Sequence, residues 1–173
     1  MLPIVVFSNE KVVGQLKSGL DNFVKTSIFS ENAVEILEFS KVLLLQQKAI
    51  VQNAKIDGIA IICGSCSALV ECSIAIVDSS NSKDVEINSK SQYITCGMGA
   101  KDTITFSSIS TREVCISILR MVRDVFGNEI DPFEVSLLLE DGAATYPPFV
   151  LLAIVAILTV LGVNLAGRRV VLK

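Results

Sequence analysis

From Tyr146 to Gly167 the chain reads YPPFVLLAIVAILTVLGVNLAG, without one charged side chain. A helix apolar on every side belongs either in the hydrocarbon core of a bilayer or inside a folded domain, because no face of it can be left in water. Fifteen residues, Phe149 to Val163, precede Asn164, which is ~22 Å of helix at ~1.5 Å per residue. A bilayer core of about 30 Å needs about 20 residues. A C-terminal anchor would keep the preceding domain in the cytosol and would want Lys or Arg before the segment. The order is reversed here: Glu140 and Asp141 precede it, and Arg168, Arg169 and Lys173 follow. Ala153, Ala156 and Gly162 allow close helix packing. The segment is therefore expected as a strongly apolar, buried C-terminal helix. One face can pack on a sheet, and the other needs a further element or a second subunit. Phe149, Leu152, Val155 and Leu158 are the candidate interaction residues, and a homo-oligomer or pairing with a related chain is expected. A single-pass anchor over residues 149–166 is the alternative.

The remainder of the sequence narrows the compartment and the chemistry. A chain of 173 residues can bury the core of one domain without disulfides, and one domain over residues 1–166 with a basic tail over 167–173 is expected. The net charge of −3, with no block of Lys or Arg, gives no footprint for nucleic acid or anionic lipid. The N-terminus has a short apolar run from Leu2 to Phe7 but no basic region or cleavage site of a secretory signal. The cysteines, Cys63, Cys66, Cys72, Cys96 and Cys115, are odd in number and lie in apolar stretches, as buried cytosolic thiols do. A cytoplasmic protein is expected, with membrane association as the alternative. No histidine occurs, which excludes imidazole metal ligation and a histidine general base.

Periodicity points to an α/β fold with a mixed, mainly parallel sheet, flanking helices and a β-hairpin. Leu2 to Phe7 reads as a buried strand, Lys11 to Val24 as a helix, and Asn32 to Asn53 as a longer helix with apolar positions Val34, Leu37, Val42, Leu45 and Ala49. Strands are expected at Ile59 to Cys63 and Ile74 to Val77, with a short helix over Cys66 to Cys72 between them. DSSNSKDVEINSKSQ reads as a surface loop, YITCG as a strand, and DTITFSSIS alternates as a half-covered strand. For the segment from Glu113 to Glu140, Gly127, Asn128 and Pro132 mark a central turn, which favours a strand pair over a helix at 111–125. No internal repeat is evident.

The motifs supply little chemistry. Cys63-x-x-Cys66 follows a strand and precedes an expected helix start, where a helix N-terminus would lower a thiol pKa, as disulfide exchange requires. Between Pro3 and Pro132 there is no proline to form the facing loop of a thioredoxin-like site. A redox protein using Cys63 and Cys66 is thus an alternative reading, set against two small residues at a tight turn. CGMGAKDT, with Gly97, Gly99 and Lys101, echoes a phosphate loop, but the β-branched run after it offers no helix N-terminus. Glu129, Asp131 and Glu134 surround Pro132 as a solvated turn would. No catalytic residue, cofactor or metal is expected.

Taken in order, several segments resemble the second half of the central domain of Mur ligases. LPIVVFSN is similar to that family's strand ending in Thr-Asn. EILEFSKVLLLQQ resembles its helix with an Ala-Lys pair, here Ser40-Lys41. DGIAIICGS stands where the family has Asn and paired aspartates, and has Cys63-Gly64-Ser65 instead. QYITCGMGAKDTITFSSI is similar to the Ile-Thr-Phe-Gly turn and its following strand. The hairpin around Gly127 matches the family's β excursion, and the apolar segment falls where Mur ligases place an Ala-rich helix ending in Leu-Gly. The family's P-loop, magnesium-binding histidine, acidic pair and C-terminal ligase domain have no counterpart among these residues. The resemblance implies a truncated, non-catalytic relative retained as a binding, regulatory or assembly module.

Overall fold

The computed structural model of the chain describes residues 1–30, 34–35, 41–47, 54–64, 69–82, 86–87, 90–140 and 146–172. The fold is mixed α/β, with a mostly parallel sheet and, among the described residues, two helices. The chain divides into two compact units, Met1–Tyr93 and Ile94–Lys173.

In the first unit the order of elements is β1 (Leu2–Phe7), α1 (Glu10–Leu20), β2 (Thr26–Phe29), β3 (Val34–Glu35), β4 (Val42–Gln47), β5 (Ala54–Lys55), β6 (Ile59–Ile62), β7 (Leu69–Glu71), β8 (Ile74–Asp78) and β9 (Glu86–Ile87). The main sheet runs β3-β2-β4-β1-β6-β8, and all its pairings are parallel except β2 with β3. Strands covered on both faces read as unbroken apolar runs, and β6 (IAII) and β8 (IAIVD) are buried at every position. On one face Phe7, Ala60, Ile62, Ala75 and Val77 pack with Val70 of β7, with Ile56, Cys72 and Ile87 against them. The alternate positions Ile4, Val6, Ile59, Ile61 and Ile76 are fully buried and belong to the opposite face, as the two-residue period dictates. β5, β7 and β9 form a second, three-stranded parallel sheet.

α1 follows β1 because Asn9 caps it, its Oδ1 accepting from Val12 N at 3.1 Å, with Glu10 in the first turn. The helix buries Val12, Val13, Leu16 and Leu20 and packs against β2 and β4. Pro3 is tolerated near the start of a central strand because pairing with β6 begins only at Ile4, so no ladder bond is lost on that side. The close passage of Gly58 fills that gap: a Cβ there would stand 2.5 Å from the Pro3 carbonyl oxygen.

Two helices expected in this unit are corrected. Val42–Gln47 is a strand, paired in parallel with both β1 and β2, where a helix over Asn32 to Asn53 was expected. The run Val42-Leu43-Leu44-Leu45 fits helix and buried strand equally by spacing, and two flanking strands settle it. Leu69–Glu71 is a strand paired with β5 and β9, in place of the end of the short helix expected over Cys66 to Cys72. The rest of both segments lies largely outside the described residues, Ser40 and Cys66 included.

The second unit contains β10 (Gln92–Cys96, entering from the unit boundary), β11 (Ile104–Ile109), β12 (Glu113–Ile118), β13 (Val122–Arg123), β14 (Glu129–Ile130), β15 (Phe133–Leu139), α2 (Pro148–Val160) and β16 (Arg169–Leu172). Their sheet order is β10-β11-β12-β15-β16, with β13 and β14 forming a separate hairpin. The expected strand pair forms, β12 antiparallel to β15, and no helix occupies 111–125. Alternation drives it: Val114, Ile116 and Ile118 face inward from β12, and Val135, Leu137 and Leu139 from β15.

α2 starts with Pro148 at its first position, where a missing N–H costs nothing. All its residues from Phe149 to Val160 are buried, and the Thr159 hydroxyl is satisfied by the Val155 carbonyl at 2.7 Å. Gly162, with φ +76°, ends it. At 13 residues it is ~20 Å long at ~1.5 Å per residue, and no helix among the described residues is long and apolar enough to cross a membrane. Nor is it the last element of the chain. Residues 167–173 were expected as a basic tail, but Arg169–Leu172 forms β16, parallel to β15, with Val170 and Leu172 buried.

Candidate functional site

Two places stand out, one in each unit: the carboxyl end of β6 and the β13–β14 hairpin. In the first unit β1 connects toward β2 in one direction along the sheet, and β6 connects to β8 in the other. Right-handed crossovers put such connections on opposite faces, so the carboxyl ends of neighbouring β1 and β6 form the switch point where open α/β sheets take ligands. Cys63 stands there, its backbone N donating to Phe7 O at 3.2 Å. Its thiol lies 3.7 Å from Asp78 Oδ2, at the end of β8. Asp78 is buried, and its carboxylate also accepts from Ser80 N at 3.0 Å and Asn81 Nδ2 at 2.8 Å. Ser82 Oγ donates to Ile62 O at 3.1 Å and lies 3.3 Å from Gly64 N.

Burial, reinforced by the negative charge of Asp78, pushes the Cys63 thiol up to about 11. The thiol is therefore protonated at neutral pH and serves as a donor to a carboxylate. That is the reverse of an activated nucleophile, whose thiolate is favoured by positive surroundings. Cys66, the other half of the motif, lies outside the described residues. Cys63, Cys72, Cys96 and Cys115 are free thiols, and burial pushes Cys72 up as well. This edge is a lock between β6 and β8, with its polar atoms already engaged by each other.

In the second unit the β13–β14 hairpin is built around Asp124. Its Oδ1 accepts from Phe126 N and Asn128 N, and its Oδ2 from Asn128 Nδ2, each at 2.8 Å. Gly127 takes φ +87°, which closes the turn at no steric cost. Hydrogen bonding, first of all from the Asn128 side chain, holds the Asp124 carboxyl below its ordinary range. Val125 N donates to Val160 O at 2.8 Å, tying the turn to the end of α2. Val125 and Phe126 in this turn are 36% and 78% exposed, and Leu119 and Met121 just before β13 are 44% and 51% exposed. Beside the turn opens a cleft of about 310 Å³, walled by Ile130, Pro132, Phe133, Val163 and Leu165, with Asp124, Asp131 and Asn164 as its polar members.

No family model and no curated protein matches the chain.

The four residues expected to present an interaction surface do not do so. Phe149, Leu152, Val155 and Leu158 are 8%, 1%, 0% and 1% exposed, covered within the chain itself. The helix does not need a second subunit to keep it from water. A hairpin around Gly127 was expected, but not its exposed apolar side chains, although MVRDVFGNEI carries the turn's signal: an Asp three residues before a Gly-Asn turn, with apolar and charged residues interleaved. Among the described residues no group of His, Cys, Asp and Glu could hold a metal ion.

Proposed function

We propose that the chain is a non-catalytic binding or assembly module, similar in segment order to part of a Mur ligase central domain, that acts in the cytoplasm through protein contacts. The observation that supports this is the stretch from Leu119 to Phe126, where four large apolar side chains are exposed, Val125 and Phe126 of them on a turn stiffened by Asp124. Exposed apolar clusters of this kind mark contact sites, and a pre-ordered turn reduces the entropy lost on docking. The protonated Cys63 thiol fits a structural role for that residue in such a module. Partners of the expected chemistry are a second copy of this chain or a related Mur-like protein.

The test is binding of the purified chain, without detergent, to immobilised copies of itself and to a complete Mur-type ligase. Binding to at least one is expected, with a Kd of about 10 μM or tighter. Phe126→Ala should weaken it at least about tenfold, as loss of an aromatic anchor does. Binding to neither, or binding indifferent to Phe126, overturns the reading.

A further inference from the structure

We draw no further inference here: the strongest candidate, the cleft of about 310 Å³ beside the β13–β14 hairpin in the second unit, is walled mainly by apolar side chains, and nothing in the structure shows what covers it.

Discussion

At the scale of single residues, the second-row neighbour of a cysteine decides its chemistry. Cys63 sits at the end of a strand, where a motif reading finds half of a redox pair, but Asp78 beside it makes the thiolate unfavourable. With the thiol at about 11, its thiolate fraction at pH 7.5 is about a hundredfold below that of an ordinary thiol with a pKa near 9. Alkylation by iodoacetamide, followed by peptide mass spectrometry, should be correspondingly slow in the folded chain and ordinary in urea. The sign of the linkage follows. A pKa raised in the folded state gives stability that is complete below about 9 and is lost as pH rises through about 11. The urea midpoint of the native chain should therefore fall across that window, and Cys63→Ser should remove this part of the fall. Rapid alkylation of folded protein at neutral pH would refute the assignment. The sequence showed Cys63 and its strand plainly; it could not show Asp78 as the partner, because β8 comes beside β6 only through a parallel pairing fifteen residues away, Ile59 with Ile74.

Among the elements, those with an unambiguous period were legible. β1, α1, β6, β8 and the β12–β15 pair stand where their apolar patterns place them, within a residue or a few at the ends. β4 was misread because a four-residue apolar run carries no phase, and only the strands on either side reveal it. The exposure of the hairpin was invisible for a related reason: a short turn was expected around Gly127, but exposure of Phe126 depends on how the turn is fixed to α2. α2 itself shows the difference between an apolar helix that seeks a partner and one that already has its cover. Leu152→Ala in this fully packed helix should cost about 2–5 kcal/mol by urea unfolding, since Leu152 is 1% exposed. The same substitution should leave self-association of the still-folded protein unchanged. A shift in the monomer–dimer equilibrium without loss of stability would return the helix to the interface.

At the scale of the molecule, the first unit is repetitive in a way its sequence nearly hides. GIAIIC at residues 58–63 and SIAIVD at 73–78 fall in register, Ile59 beside Ile74 and Ile62 beside Val77. Each is preceded by a short strand of the second sheet, β5 and β7, themselves paired. A short repeat written mostly in Ile, Ala and Val looks like general apolar composition until the pairing aligns it. The second unit is organised differently: β11, β12 and β15 pair antiparallel with neighbours close in sequence, while β10 joins β11 and β16 joins β15 in parallel. β16 reaches β15 in parallel through α2, so Leu139 and Leu172 must meet across a long loop. Closing such a loop costs entropy that the adjacent hairpins avoid. Amide hydrogen exchange should accordingly find Arg169–Leu172 less protected than β12, and comparable protection of the two would contradict it. In the time course of folding, β16 should therefore zip onto β15 after the β11–β12–β15 ladder has formed, and during local opening it should fray before that ladder does.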